Sequence, residues 1–353
     1  MRAVDLRSDL LSRPTAAAID AMARAAAMPG EFGLRDDPAQ RDLEACAAGL
    51  LGKEDALLFP TCTMANGAAL ILQSRPGDVL LAQEDAHIAT SEAGAPAALA
   101  GLLLRTVQGG IDPPAARWAE FAVGGDALRP APALVVIENT HTRSGGRPLS
   151  ADYTGRVAAV AREAGLRAHL DGARLVNAAV ALGTSPAELA AGFDTVSLSL
   201  NKGVGAPLGA ILAGEAELIV RALPVRQRLG GGIRPTAPFA AAARVMLDRW
   251  EDVADDHRRA RQLAQALAEL DGVDVPPPPT NILLVHFTER GGGRESPARL
   301  CAALVRAGLL ALPFGPGTVR LVTYRGVSDE DVAAAVAAVA DVSRDRPDVA
   351  RQA

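Results

Sequence analysis

The sequence is poor in aromatic side chains, in cysteine and in blocks of like charge. Phe, Trp and Tyr together make up only 3 % of its 353 residues. The three cysteines, Cys46, Cys62 and Cys301, are odd in number and widely spaced. This pattern argues against a disulfide framework and against a zinc site, and it favours a reducing compartment. We therefore expect a cytoplasmic protein without a metal site.

Long apolar runs and basic stretches are also missing. No segment reaches the roughly 18 apolar residues that a membrane-spanning helix needs. Acidic residues interrupt the N-terminal MRAVDLRSDLL, which is therefore unlike a signal peptide. The net charge is −5, and no run of Lys or Arg is present. We expect neither nucleic acid nor a membrane among the partners of this protein.

Short apolar runs alternate with helical patterns, which is typical of an α/β fold with a mostly parallel, doubly wound sheet. The composition shifts after about residue 240, where we expect a smaller C-terminal α+β domain. We predict an N-terminal arm at 1–15, a large domain at 16–244 and a small domain at 245–353. The predicted strands are 56–59, 78–82, 133–138, 166–170, 194–200, 210–213, 281–287 and 319–324, and the predicted helices include 64–73, 153–164, 186–190, 239–270 and 297–307, with a turn at 291–293 and a frayed tail at 344–353.

The segment SLNKGVGAPLGA at 199–210 places Lys202 where a predicted strand ends and a glycine-rich stretch begins. Such backbone offers little to solvate an ammonium, and a poorly hydrated lysine becomes more readily a neutral nucleophile. A lysine of this kind can form a Schiff base with a carbonyl compound. A surface lysine in a glycine loop fits the stretch equally well, so the interpretation depends on other residues.

Pyridoxal phosphate is a cofactor that uses such a lysine, and it needs further protein groups. Its pyridine nitrogen must stay protonated, which requires a buried carboxylate. Asp171 follows the apolar strand 166–170, at the strand end where open α/β sheets place ligand groups. An aspartate before Gly172 is also common in an ordinary βα turn. In combination with Lys202 we favour the cofactor role.

Other segments offer groups for the phosphate, the ring and the substrate. Thr61–Thr63 opens a predicted helix, whose start can bind phosphate or simply be capped by a threonine. His87 follows a predicted strand, and its imidazole could stack on the ring, although it could also be a surface residue without a task. His141 follows another predicted strand and lies at the same sheet edge. The remaining His169, His257 and His286 are interpreted as structural.

Two arginines are candidates for holding the carboxylate of an amino-acid substrate, because a guanidinium binds a carboxylate through two hydrogen bonds. They are Arg174 in DGAR and Arg320 in TVRLVTY. A surface salt bridge is the alternative for each.

Together these segments resemble the threonine aldolase (β-eliminating lyase) family of fold type I pyridoxal-phosphate enzymes. The resemblance runs in order along nearly the whole chain, and ordered agreement of many motifs is more specific than any single one. The matching segments are DLRSDLLSRPT at 5–15, TCTMANGAAL at 61–70, EDAHIATSEAGA at 84–95, ENTHTRSGGR at 138–147, HLDGARLVNAAVALG at 169–183, SLNKGVGAPLGA at 199–210, LGGGIR at 229–234 and VRLVT at 319–323.

The resemblance implies an aldolase that cleaves or forms L-β-hydroxy-α-amino acids of the threonine or allo-threonine type, with glycine and an aldehyde as the other reactants. It also implies a homo-oligomer, a dimer or a tetramer, in which the arginine of the glycine loop reaches the phosphate of a neighbouring subunit. The implied catalytic residues are Lys202 (Schiff base), Asp171 (pyridinium), His87 (stacked on the ring) and His141 (near the substrate hydroxyl); the cofactor-binding set adds Cys62, Thr63, Arg174 and Arg234, and the substrate-binding set is Ser8, His141, Arg174 and Arg320.

The chain departs from the family pattern at positions that bear on the substrate. Thr142 stands where Asn is usual, Pro235 where Gln is usual, and Tyr324 where His is usual. Phe32 replaces a common tyrosine and is followed by a short insertion at 34–36. These changes leave open which aldehyde the enzyme uses.

Two alternatives stay open. Another pyridoxal-phosphate lyase, a racemase or an aminotransferase would need the same cofactor groups. A nicotinamide-dependent oxidoreductase is suggested by GVGAPLG at 203–209, but the expected helix is interrupted by Pro207 and no acidic residue follows at the required distance.

Overall fold

The computed structural model describes residues 3–287 and 296–345, so the predicted turn at 291–293 and the tail from 346 lie outside the described residues. The strands are β1 (Val4–Asp5), β2 (Asp55–Phe59), β3 (Val79–Gln83), β4 (Leu103–Val107), β5 (Pro132–Glu138), β6 (Arg167–Asp171), β7 (Thr195–Ser199), β8 (Ala210–Gly214), β9 (Val273–Asp274), β10 (Ile282–Phe287), β11 (Leu309–Leu310), β12 (Leu312–Gly315) and β13 (Thr318–Val322).

The α-helices are α1 (Ala16–Ala26), α2 (Pro38–Leu51), α3 (Cys62–Gln73), α4 (His87–Thr90), α5 (Ala95–Ala100), α6 (Ala115–Ala122), α7 (Ala151–Glu163), α8 (Leu175–Leu182), α9 (Pro186–Ala190), α10 (Ala216–Arg228), α11 (Ala237–Leu247), α12 (Val253–Ala268), α13 (Pro297–Arg306) and α14 (Asp329–Asp345). Short 3-10 turns occupy Asp9–Leu11, Thr142–Ser144 and Trp250–Asp252. None of the helices in the described ranges is long and apolar enough to cross a membrane.

Seven strands form the main sheet in the order β2-β8-β7-β6-β5-β3-β4. Only β8 runs against its neighbours β2 and β7, and the other pairs are parallel. The predicted α/β fold with a mostly parallel sheet is confirmed. Edge strand β4 was not predicted, because its first two residues, Leu103 and Leu104, are exposed and the segment lacks the pattern of a buried strand.

Both faces of this sheet are covered, as alternation along β2 shows. Ala56 and Leu58 pack into one apolar cluster, whereas Leu57 and Phe59 pack into another with Ile219 of α10. Successive side chains of a strand point to opposite faces, so a strand with two buried faces reads as a continuous apolar run.

The ends of the parallel strands line up at one edge of the sheet. Glu138 at the end of β5 is paired with Asp171 at the end of β6, which is paired with Ser197 in β7. The chain then turns sharply at Gly172, where a Cβ atom would lie 2.6 Å from the carbonyl oxygen of Ser197. A glycine is therefore needed directly after Asp171.

A second apolar core joins the C-terminal segments to the start of the chain. Its antiparallel sheet has the order β12-β13-β10-β9, and β1 pairs with β11 in a separate parallel ribbon. Val4 and Leu6 are buried in this core together with residues of α12, α13 and α14. A smaller C-terminal domain is thus present, while the exact boundaries given above remain predictions.

The predicted continuous helix at 239–270 is wrong. Helix α11 ends at Leu247, and α12 begins only at Val253. Between them Arg249 has φ −112° and ψ 25°, and its Nε donates a hydrogen bond of 2.8 Å to Asp252. Polar side chains that bond locally favour turns over helix continuation.

Candidate active site

Four side chains singled out from the sequence follow neighbouring strands at the same sheet edge. His87 follows β3, His141 follows β5, Asp171 ends β6 and Lys202 follows β7. Because β3, β5, β6 and β7 are parallel and adjacent, their carboxyl ends meet at one place. Ligands of open α/β sheets bind at this edge.

Asp171 is buried and fixed by hydrogen bonds from two sides. Its Oδ2 accepts from Asn66 Nδ2 at 2.9 Å, and its Oδ1 accepts from the backbone of Ala173 at 3.1 Å. Asn66 Oδ1 in turn accepts from Ser197 Oγ at 2.7 Å and lies 3.1 Å from His169 Nε2. Asn66 could not be predicted as a site residue, since an asparagine inside a helix carries no signal of its own.

His169 lies behind this network and keeps its structural interpretation. Burial lowers the pKa of His169 to about 4, so the ring is neutral at physiological pH. Its Nδ1 lies 2.8 Å from Thr195 Oγ1, which also accepts from Gln73 Nε2 at 2.7 Å. Buried polar groups of this sort rigidify a site when each is satisfied.

His87 is paired with Glu92, a residue for which the sequence predicts no role. His87 Nδ1 lies 2.9 Å from Glu92 Oε1, and the Glu92 side chain is fully buried. The hydrogen bond to Glu92 raises the pKa of His87, with Asp171 and Glu138 adding to the effect and burial opposing it. The imidazole is therefore held as a comparatively strong base.

Glu138 ties the two histidine loops to each other. Its Oε2 accepts from the backbone of His87 at 2.7 Å, and its Oε1 accepts from the backbone of Thr142 at 2.9 Å. The backbone of Glu138 itself donates to Gln83 Oε1 at 2.7 Å. One carboxylate thus sets the positions of both loops.

His141 differs from His87 in its surroundings. It is buried, and neither ring nitrogen has a hydrogen-bond partner among the described residues. Its Nε2 lies 3.9 Å from Glu138 Oε2, beyond hydrogen-bond distance. Burial lowers the pKa of His141. Buried nitrogens without partners are costly, so they point to a polar ligand group at this position.

Helix α3 presents its N-terminus at the same edge of the sheet. Thr61 caps it, with Oγ1 accepting from the backbone of Met64 at 3.2 Å, while Thr63 is exposed. Cys62 Sγ donates to Ser197 Oγ at 3.4 Å, and burial raises the pKa of the thiol to about 12. Cys62 is thus an uncharged neighbour, and the free amides of the first helical turn are available to an anion.

Arg174 is engaged within the protein. Its Nε and Nη2 each donate at 2.7 Å to Asp9, and its Nη1 donates at 3.1 Å to Thr142 Oγ1. Burial alone would raise the pKa of Asp9, but Arg174, with help from Lys202 and Asn281, lowers it to about 2. Asp9, absent from the sequence-based set, is therefore a buried, ionised partner of Arg174.

Ser8 and Arg320 lie close to this ion pair. Ser8 Oγ accepts from the backbone of Leu10 at 3.2 Å and lies 3.4 Å from Asp9 Oδ1. Arg320 donates from Nη2 to the carbonyl of Arg7 at 3.2 Å, while its buried Nε has no partner among the described residues. Burial, assisted by Arg174, lowers the pKa of Arg320 to about 10, so it stays charged at neutral pH. Of these two arginines, Arg320 is therefore the one with a guanidinium N–H group left to bind a ligand.

Arg234 is not brought to the other candidates within this chain. It is exposed, with its guanidinium carbon 5.3 Å from the centre of the Phe32 ring and its Nη1 donating to the carbonyl of Phe32 at 3.2 Å. Its predicted contact with the phosphate of a neighbouring subunit remains a prediction.

Lys202 lies among the buried groups just described. Its charge acts on Asp9 and on Cys62, lowering the pKa of each. The following Gly203 packs so tightly that a Cβ would lie 2.9 Å from Val253 and 3.1 Å from Asn177. Gly203 therefore allows neighbouring side chains to pack closely against the backbone beside Lys202.

The same stretch excludes the dinucleotide-binding alternative. After Lys202 the chain runs into β8, an antiparallel strand, so no helix N-terminus follows the glycines to receive a pyrophosphate. That helix is an essential part of the fingerprint.

His87, Glu92 and Asp171 also offer ligand-type atoms within 4.8 Å of one another. Two of them share a donor, because Asn66 Nδ2 donates to Glu92 Oε1 at 2.8 Å and to Asp171 Oδ2 at 2.9 Å. The two N–H bonds of the Asn66 amide point at these oxygens and would repel a cation bound there. We interpret the cluster as a hydrogen-bond network.

Comparison with known proteins agrees with this geometry. The family model described as beta-eliminating lyase matches residues 5–290. A probable low-specificity L-threonine aldolase of Arabidopsis thaliana is 36 % identical over 345 residues, covering 94 % of this chain and 95 % of that protein. A low specificity L-threonine aldolase of Escherichia coli O157:H7 is 34 % identical over 333 residues, covering 94 % and 96 %. The solved structure of a Leishmania major threonine aldolase has TM-score 0.81 and 21 % identity, covering 96 % of this chain and 99 % of that one.

Proposed function

Since this chain belongs to the beta-eliminating lyase family, we propose that it is a pyridoxal-phosphate-dependent aldolase that interconverts an L-β-hydroxy-α-amino acid with glycine and an aldehyde. The observation that carries the proposal is the pairing of two unsatisfied polar groups in one site. The ring nitrogens of buried His141 can bind a hydroxyl, and Nε of Arg320 can donate a hydrogen bond to a carboxylate. A β-hydroxy-α-amino acid carries both groups.

The residues present fit the cofactor. Lys202 supplies an amine for its aldehyde, and Asp171 supplies a fixed, buried carboxylate for its pyridine nitrogen. The free amides at the start of α3, with exposed Thr63, suit its phosphate. The fold agrees, since relatives of this chain in structure include fold type I enzymes that hold pyridoxal phosphate.

When bound, pyridoxal phosphate supplies an electron sink for the electron pair released as Cα–Cβ breaks. The protein's own side chains do the rest. Arg320, with Ser8 nearby, holds the substrate carboxylate, while Arg174 positions this end of the site through Asp9. Asp171 holds the proton on the pyridine nitrogen.

Proton transfer at the substrate hydroxyl falls to one of two imidazoles. As the β-hydroxyl loses its proton, its oxygen forms the carbonyl of the departing aldehyde and Cα–Cβ breaks. His141 can bind the hydroxyl through a nitrogen that lacks any other partner. His87 offers a ring whose proton affinity is raised by Glu92. Glu138 keeps both rings in place by holding their loops.

The test combines a cofactor measurement with a product measurement. The purified protein should show an absorption band in the visible range because of its bound cofactor. Borohydride reduction should remove that band and leave the reduced cofactor attached to Lys202. Incubation with L-threonine should yield glycine and acetaldehyde in equal amounts. Alanine enantiomers, keto acids or ammonia as the main products would instead indicate a racemase, an aminotransferase or an eliminating lyase. A colourless protein that ignores added pyridoxal phosphate would refute the proposal.

We further propose that the enzyme is a cytoplasmic homo-oligomer, with a dimer of dimers as the expected form. Support for the oligomer comes from Arg234, which contacts Phe32 at the surface of the chain. The family resemblance gives Arg234 a role at a phosphate, and at the surface it could fill that role only in a neighbouring subunit. Light scattering at assay concentration would show a multiple of the 36.3 kDa chain. A fully active monomer would contradict this proposal.

A further inference from the structure

Glu92 is a buried glutamate beside the proposed cofactor site. Its side chain is fully buried, and a carboxylate is seldom buried without a partner. Oε1 lies 2.9 Å from His87 Nδ1 and accepts from Asn66 Nδ2 at 2.8 Å. Oε2 has no hydrogen-bond partner within the described part of the chain. The contacts of Glu92 thus converge on its Oε1.

The pairing decides where His87 keeps its proton. Burial raises the pKa of Glu92, while its hydrogen bond with His87 opposes that rise. In its ionised form the carboxylate only accepts hydrogen bonds, so Nδ1 then carries the hydrogen. In the neutral ring the other nitrogen, Nε2, then holds a free lone pair. A carboxylate behind an imidazole has this consequence in other enzymes, where it orients a base and stabilises its protonated form.

Asn66 connects this pair to Asp171. One Nδ2 group donates to Glu92 Oε1 and to Asp171 Oδ2, which places two buried carboxylates at the two hydrogens of one amide. Asn66 cannot rotate its amide without losing the hydrogen bond from Ser197 to its Oδ1. The amide therefore fixes the distance between the two carboxylates.

We propose that Glu92 is a positioning residue that keeps the Nδ1 proton on His87 and makes Nε2 the acceptor of the β-hydroxyl proton, with Asn66 fixing Glu92 relative to Asp171. This assignment rests on the proposed aldolase function. The carboxylates that face His87 are Glu92, Asp171 and Glu138, and Glu92 has the largest influence on its charge state. His141, lacking such a carboxylate hydrogen bond, binds the hydroxyl as a neutral group.

The first test does not depend on turnover. The chain has only five histidines, so side-chain NMR of selectively labelled protein resolves them, and His87→Asn assigns the signal of interest. Glu92→Gln keeps the shape of the side chain but removes its charge. We expect the titration midpoint of His87 to fall by a pH unit or more in this variant, both with and without cofactor. Glu84→Gln removes an exposed charge from the same loop and should leave the midpoint unchanged.

The second test uses the pH profile of threonine cleavage. A base must be deprotonated to act, so the acid limb of kcat/KM should move to lower pH in Glu92→Gln, while kcat at the plateau falls about tenfold to a hundredfold because the base is weaker. KM for L-threonine should change little. Glu92→Asp keeps the charge and should restore part of both effects.

The outcomes separate the two proposals. An unchanged His87 midpoint in Glu92→Gln would overturn the role of Glu92, as would lost activity with an unshifted acid limb. A wild-type protein that shows the NMR shift but produces no aldehyde would overturn the aldolase function and leave the His87–Glu92 pairing supported.

Discussion

Asp9 holds Arg174 through both carboxylate oxygens, with Nε and Nη2 each 2.7 Å away. Thr142 takes the remaining Nη1 of the guanidinium. Two arginines that look equivalent in the sequence therefore differ in the structure: Arg174 is engaged in the frame of the site, and Arg320 has a buried Nε left for a ligand.

The first prediction separates the two arginines. Arg320→Gln should raise KM for L-threonine at least about tenfold, because one hydrogen bond to a charged group contributes about 1.5–3 kcal/mol. Arg174→Gln should instead lower the free energy of unfolding by about 3–5 kcal/mol, since it leaves Asp9 buried without its counter-ion. Steady-state kinetics and urea unfolding measure the two effects.

A double variant provides the control for that pair. Asp9→Asn with Arg174→Gln leaves no buried charge alone, so most of the lost stability should return. If Arg174→Gln were as stable as the wild type and raised KM as much as Arg320→Gln, the two arginines would be equivalent after all.

The second prediction concerns Asp171. Asp171→Asn should still bind pyridoxal phosphate, because the side chain keeps its size, but turnover should fall at least about a hundredfold since a neutral amide cannot hold the ring proton. Absorbance after gel filtration reports the bound cofactor, and coupled detection of acetaldehyde reports turnover. Near-normal turnover in this variant would show that Asp171 serves only as a turn residue.

The large-scale fold and the sheet-edge residues could be predicted because their signals are local. Strand ends that carry Asp171 and Lys202 stand next to glycines and apolar runs, and parallel strands bring such ends together. Partners such as Asn66 and Glu92 could not be predicted in the same way. Asn66 sits inside α3 and Glu92 in a loop, and only tertiary packing brings them to Asp171 and His87.

The interrupted helix between α11 and α12 shows a second limit. Helix periodicity continues through residues 239–270, and the break depends on a few polar contacts, such as Arg249 with Asp252. Likewise the short pairing of β1 with β11 joins segments 305 residues apart in sequence, as Val4 opposite Leu309 shows, and two-residue strands leave no pattern. Long-range pairings of this kind are set by the assembled core.

The third prediction is a pH dependence of stability that arises from Asp256. Burial raises the pKa of Asp256 to about 7, although Arg325 and Arg259 oppose it, whereas the pKa of an unfolded aspartate is near 3.8. The folded state then holds a proton that the unfolded state releases. Stability should fall as pH rises from about 4 to about 7, by a total on the order of 4 kcal/mol.

Asp256→Asn tests this dependence, because asparagine has no proton to lose. Its thermal midpoint should exceed that of the wild type at pH 8 and approach it at pH 5. Asp255→Asn removes an exposed neighbouring carboxylate that adds only the smallest contribution to the raised pKa of Asp256, so its curve should stay close to that of the wild type. A wild-type midpoint that rises between pH 5 and pH 8 relative to Asp256→Asn would contradict the assignment.

The fourth prediction concerns the aldehyde. Thr142 replaces an asparagine usual in the family, and its hydroxyl is already used by Arg174. The pocket therefore has fewer fixed donors on this side, and apolar fit discriminates weakly, by about 1–3 kcal/mol per methylene. We expect modest activity on threonine or allo-threonine and equal or better activity with bulkier side chains.

A panel of aldehydes incubated with glycine, with the products separated by chiral chromatography, measures this preference. Thr142→Asn should shift the preference toward acetaldehyde, and Thr90→Asn, at the exposed last residue of α4, serves as the matched control. Strong preference of the wild type for acetaldehyde over every larger aldehyde would show that the departure at 142 does not set specificity.

The ribbon of β1 and β11 has a consequence for the order in which the chain matures on the ribosome. Val4 and Leu6 pair with backbone groups of Gly308, Leu310 and Val322, which follow them by more than 300 residues in the chain. Until the C-terminal segments have been synthesised, β1 lacks its partner strand, and Asp9 lacks Asn281, one of its hydrogen-bond donors. The site therefore becomes complete only after residues 308–322 have been synthesised and have paired with the start of the chain.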